Sequence, residues 1–222
     1  MKHWTELGKA TIPGTGGTLT LFQGKDDFFI RTANGIELMS TRKHGSEDAL
    51  GTLVCTGLKN RDTARVLVGG LGMGFTLRTA LDAVGTKAEV TVAELVPEII
   101  EWNRGPLGEA AGRPLDDPRT LIHQGDVAEL LQPGEPRFDA IALDVDNGPE
   151  GLTQDANDWL YSNAGLAGIR QSLRRGGCVG FWSATPDRAF GQRLKRCGFR
   201  VEEKQVHAHG KKGPRHTLWF GR

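Results

Sequence analysis

The stretch "VLVGGLGMGFTLR", residues 66–78, sets Gly70, Gly72 and Gly74 between an apolar run and an amphipathic pattern. A glycine inside a helix or strand costs about 0.5–1 kcal/mol relative to alanine. The cluster therefore implies a tight turn, a ligand resting on bare main chain, or another segment packed close. Such a turn also aims the first amides of the next helix at a bound group. Phosphate, a dinucleotide and a nucleoside sulfonium all suit it, and so does a packed turn without a ligand. Two carboxylates narrow the choice. Glu94 ends the next apolar run, "VTVAE", about 20 residues on, where an acid can accept both hydroxyls of a ribose. In "IHQGDVAEL", Asp126 can take the exocyclic amine of an adenine while Val127 packs on the ring. Glu94 can equally be an exposed strand-end acid, and Asp126 a helix N-cap. Together the three elements favour an adenosyl sulfonium over a dinucleotide, because a pyrophosphate needs no third anchor.

A sulfonium carries its own leaving group, so alignment does most of the work, supplying about 7–11 kcal/mol of the barrier. What remains falls on the acceptor. An amine with a pKa of about 10.4 is mostly protonated at neutral pH, so a carboxylate must orient it and take its proton. Asp144 and Asp146 in "DVDNGP" are the candidates for that task. Two residues apart in extended backbone, they point the same way, and one can stay ionised while the other's pKa rises. Alternatively Asp146 and Asn147 cap the following helix; otherwise Asn147 is a candidate acceptor contact. Glu150 and Asp155 continue an acidic rim suited to a cation, or are solvated. Tyr161, the one tyrosine, can close over a substrate or pack within its helix. His44 in "RKHGSED" can serve acid–base chemistry or sit in a polar loop, and Trp182 in "FWSATPD" can line the acceptor pocket or finish a buried strand. His207, His209 and His216 around "HAHGKKGPRH" have no acid or cysteine beside them, so a solvent-facing turn is expected and no metal.

These residues need a scaffold at strand ends. "TLTLFQ", "DFFIRT" and "GIELMS" alternate between turn residues, as in a small antiparallel meander over residues 1–45. A helix should begin at Ser46. From residue 65 the pattern is strand then helix, repeatedly: "RVLVGG", "EVTVAE", "TLIHQG", "DAIALDV" and "GCVGFWSA" each precede a helical segment. That alternation implies a parallel sheet covered on both faces. The last two strands, "FRVEEKQVHA" and "RHTLWFG", have no helix between them and should form a terminal antiparallel hairpin. The fold class expected is α/β, Rossmann-like, over residues 46–222.

With 222 residues, 38% of them hydrophobic, the chain can bury a sizeable core. A net charge of +1 gives no electrostatic footprint for nucleic acid or an anionic membrane. Three cysteines without paired spacing read as reduced thiols. No run of 18 apolar residues and no signal-like start occur. A cytoplasmic protein with a small-molecule partner is the expectation.

The segments "RVLVGGLGMGFTLR", "VTVAELVPEIIEWNR", "LDDPRTLIHQGDVAEL" and "FDAIALDVDNGP" stand in an order that resembles the spermidine synthase-like proteins, over about residues 17 to 200. These are the aminopropyltransferase branch of the class I methyltransferase fold, with a seven-stranded sheet and a small N-terminal β-region. The resemblance implies that Glu94 holds the ribose and Asp126 the adenine. It also implies that residues 69–74 meet the methionine-like part and Asp144 lies beside sulfonium and amine. A homodimer is likewise implied. This chain departs in "GGLGMG", which lacks the family's aspartate for the aminopropyl amine, and in "MSTRKHGSEDALG", where only Glu47 of the family's acceptor residues stands. On that ground the sequence favours methyl transfer from S-adenosylmethionine to a small amine. The alternatives are aminopropyl transfer from decarboxylated S-adenosylmethionine to a putrescine-like diamine, and a non-catalytic S-adenosylmethionine-binding protein.

Overall fold

The structure, a computed structural model, describes residues 4–61, 63–145, 159–210 and 212–222. Four antiparallel strands come first, β1 (Thr5–Thr11), β2 (Thr18–Gln23), β3 (Phe28–Thr32) and β4 (Glu37–Ser40), in spatial order β1-β2-β3-β4. The sequence shows the last three by their alternation. It does not show β1, whose residues are mostly exposed and carry no two-residue hydrophobic period.

Helix α1 (Gly45–Val54) leads into the second sheet, built from β5 (Arg65–Gly69), β6 (Glu89–Glu94), β7 (Thr120–Gln124), β8 (Phe138–Leu143), β9 (Leu173–Ser183), β10 (Val201–His209) and β11 (Lys212–Gly221). Its order is β10-β11-β9-β8-β5-β6-β7. β5 to β9 run parallel, while β11 lies antiparallel to both β9 and β10. The crossovers include α2 (Phe75–Asp82), α3 (Pro97–Arg104), α4 (Pro106–Ala110), α5 (Asn163–Ser172) and α6 (Arg188–Arg196). Every residue of β8 is buried, as expected of a central parallel strand covered on both faces. This is the Rossmann-like class I methyltransferase fold with an antiparallel terminal hairpin and an N-terminal meander.

β5 pairs with β6 on one side and β8 on the other, so strand order reverses there, and a crevice opens at the carboxyl ends where such sheets bind ligands. The meander roofs it. Ala10, Leu19, Leu21 and Ile30 share one hydrophobic cluster with Leu50, Leu71 and Ile99. Among the described residues no helix is long and apolar enough to cross a membrane.

Candidate active site

Two cavities meet beneath the meander. The larger, about 590 Å³, lies between β4, the turn from β5 to α2, and the ends of β8 and β9. That volume is within the about 300–1,000 Å³ usual for small-molecule sites. The smaller, about 120 Å³, runs over the ends of β6 and β7. Both are lined by Leu38, Met39, Gly72 and Asp144.

The smaller cavity gathers most of the expected nucleoside residues, namely Gly70, Gly72, Glu94, Asp126 and Val127. Glu94 is buried, and its two oxygens accept the amides of Leu71 and Val96, each at 2.9 Å. Burial pushes its carboxyl up, and the surrounding amides hold it down. A carboxylate offers about four lone-pair sites, and the amides of Gly72 and Leu95 also face this one. Asp126 caps the short 3-10 turn Val127–Leu131, accepting from the Ala128 amide at 2.8 Å, and still faces the cavity.

The three glycines do different things, although all have positive φ. A Cβ on Gly70 would collide with the Asp144 carbonyl; on Gly74 it would press on Asn103, Pro114 and Ala111; on Gly72 it would meet the end of the Met39 side chain, its sulfur at 3.4 Å. Gly70 thus brings β5 against the end of β8, Gly74 packs the start of α2 outside both cavities, and Gly72 is the main-chain surface open to a ligand. We expect Gly70→Ala to lower the melting temperature by about 5–15 °C, from left-handed strain of about 1–2 kcal/mol plus overpacking. Gly72→Ala should lose less stability and more nucleoside affinity, read by calorimetry.

Asp144 stands where the cavities join. Its Oδ2 accepts from Thr76 Oγ1 at 2.7 Å, and the same hydroxyl reaches the Glu47 carbonyl at 3.3 Å, tying β8 to α1. Glu47 also lines the large cavity. Burial lifts the Asp144 carboxyl to about 6. Burial, and then the charge of Asp144, lift Glu47 to about 8. The two acids share one protonation economy beside the crevice, as like charges in a poorly hydrated site must.

Ser46 is not the helix cap that the sequence suggests. His44 occupies that position, and the Ser46 side chain is turned inward, fully buried. Its Oγ donates to Glu47 Oε2 at 2.5 Å, accepts from Trp182 Nε1 at 2.9 Å and lies 2.8 Å from His216 Nδ1. His216, expected in a solvent-facing turn, therefore lines the cavity with Trp182, whose ring it meets edge-on. The signal lay in the alternation His216, Leu218, Phe220, whose last two members are core residues. Nothing comparable marked Thr76 or Met39.

Two expected acceptor contacts lie elsewhere. His44 itself lines neither cavity: it pairs with Asp48 Oδ2 at 2.7 Å and stacks on Phe75, which lines the larger. Tyr161 does not close over the crevice. It is buried against Phe181 and Phe190, and its hydroxyl donates to the Val145 carbonyl at 3.4 Å, beneath the end of β8. Asp146, Asn147, Glu150 and Asp155 lie outside the described residues. Among the described residues no group of three or more His, Cys, Asp or Glu can hold a metal ion.

No family model matches the chain. A polyamine aminopropyltransferase from Korarchaeum cryptofilum is 32% identical over 116 residues, which cover 52% of this chain and 34% of that protein's length. Among solved structures, spermidine synthase from Thermotoga maritima superposes with a TM-score of 0.73 at 17% identity, over 97% of this chain and 71% of its own. The fold is spermidine synthase-like. A spermidine synthase in complex with the transition state analogue AdoDATO superposes at 0.71, with 17% identity and the same coverage, 97% and 71%. A probable spermidine synthase from Corynebacterium glutamicum shares this spermidine synthase-like fold at a TM-score of 0.67 and 15% identity, over 98% and 79% of the two chains.

Proposed function

We propose that this chain transfers the aminopropyl group of decarboxylated S-adenosylmethionine to a small amine. The observation that carries the reading is the acid pair of Asp144, at the junction of the two cavities, and Glu47, on the wall of the larger, where a cationic donor and a cationic acceptor would meet. Glu94 and Asp126 would grip sugar and base, and Gly72 would offer bare main chain to the sulfonium side chain. The pocket fits that group, since its open wall lies at Gly72 and, among the described residues, no buried cation contacts its acids.

In this reading Asp144 orients the acceptor ammonium and takes one proton from it. The freed lone pair forms a bond to the carbon beside sulfur as the carbon–sulfur bond breaks, and its electron pair leaves with methylthioadenosine. The new secondary amine retains its remaining protons.

Methyl transfer from intact S-adenosylmethionine, favoured by the missing acid in "GGLGMG", is not supported. A carboxyl group reaches the crevice from α1 instead, through Glu47, and an intact donor would bring its own carboxylate against Glu47 and Asp144. The names of the relatives, polyamine aminopropyltransferase and spermidine synthase, also favour the aminopropyl alternative. Incubation with decarboxylated S-adenosylmethionine and a panel of diamines should release methylthioadenosine. Release of S-adenosylhomocysteine from the intact donor, or of neither product, would overturn the reading.

A further inference from the structure

We propose that Ser46 and His216 form a relay that carries the acceptor's proton from Glu47 out of the cleft. This rests on the amine-alkylation reading above. An ammonium that becomes a nucleophile sheds one proton, and the product departs still protonated, so each turnover leaves one proton on the carboxylate pair. That proton needs a way out of a site roofed by the meander.

The hydroxyl of Ser46 has one proton to donate and room to accept two. With Glu47 ionised, it donates to Glu47 and accepts from Trp182 Nε1 and from a protonated His216 Nδ1. With Glu47 protonated, the acid donates to Ser46 and Ser46 donates to His216 Nδ1, while Trp182 donates as before. Every hydrogen-bonding position of the buried hydroxyl is filled in both settings. Moving from the second to the first shifts one proton from Glu47 to His216 without displacing a heavy atom. Trp182 pins the oxygen and takes no part in the transfer.

The groups facing the two ends set the cost of the step, which runs uphill from Glu47 to His216. Glu47 faces Asp144 from the end of β8 and Asp48 from its own helix. His216 faces Lys43, and burial and that lysine hold its imidazole below the usual range, so it takes the proton from Glu47 only transiently and sheds it to solvent. The imidazole is only half-buried, whereas Ser46 is fully enclosed.

Nitrogen NMR of histidine-labelled protein tests the relay without turnover. In the wild type, the His216 tautomer should change as Glu47 titrates. In Glu47→Gln and in Ser46→Ala that change should vanish while the fold, judged by the other histidines, is unaltered. An unchanged His216 titration in both variants overturns the relay. In turnover, His216→Gln should lower kcat about 10²-fold with little change in the donor KM, and added imidazoles should rescue His216→Ala in proportion to their basicity. Loss without imidazole rescue would leave His216 a purely structural role and also overturn the proposal. If the wild type releases no methylthioadenosine, the function reading fails while the NMR still decides whether the proton path exists.

Discussion

Replacing Asp144 by asparagine should slow amine alkylation by about 10²–10⁴-fold, the span usual for loss of a positioned proton acceptor. The substitution is nearly isosteric, and the asparagine oxygen can still accept from Thr76 Oγ1, as Asp144 Oδ2 does at 2.7 Å. What disappears is a negative charge at the junction of the cavities and the capacity to hold a proton. Methylthioadenosine, which is uncharged, should therefore bind the variant as it binds the wild type, through Glu94 and Asp126. The cationic donor and the amine should bind more weakly. Calorimetric titrations of all three compounds, beside rates of methylthioadenosine release, separate charge from shape. A rate within threefold of wild type would remove Asp144 from the chemistry.

The second large effect is on stability. Glu47 moves from an ordinary 4.5 to about 8 in the folded protein, chiefly because burial disfavours its ionised form. Between those values the native state holds a proton that the unfolded chain has released. Stability must fall as pH rises through that window, by about 1.4 kcal/mol per pH unit for one group. From pH 5.5 to 7.5 the loss is about 2.7 kcal/mol, or about 5–10 °C in melting temperature for a chain of this size. Glu94 and Asp144 shift in the same direction, whereas His216, held down, opposes them below its ordinary range. Glu47→Gln mimics the protonated acid, so the difference between variant and wild type isolates this one group. Scanning calorimetry should show the two melting temperatures diverging as pH rises, with the variant the higher. Parallel curves would mean that Glu47 ionises freely in the fold.

Much of the smaller cavity's lining is legible in the sequence, because it rests on strand ends, and strand ends are marked by the periods of their own strands. Gly72, Glu94, Asp126 and Val127 follow directly from where β5, β6 and β7 stop. The acceptor half is assembled from segments distant in the chain, and there the signals conflict. Ser46 looks like a cap because small hydroxyl residues usually are caps, yet its oxygen is claimed by Trp182 and His216 from β9 and β11. Tyr161 sits in a plausible place for a lid, but the cluster of Phe181 and Phe190 offers the ring a drier home. His44 is held one layer behind the large cavity, by Asp48 and by the face of Phe75. β1 left no trace because it buries almost nothing of its own.

The shared wall at Met39 and Gly72 divides responsibilities between two parts of one chain. In the proposed reading donor recognition would belong mainly to the turns of the parallel sheet, whereas much of the large cavity's lining comes from residues 12–18 and 32–40. Substitutions in that short roof can retune which amine is admitted while leaving the grip on the nucleoside intact. On the proposed reading, a lineage carrying this architecture is free to explore new acceptors by varying about a dozen positions, with the bond-breaking half inherited unchanged.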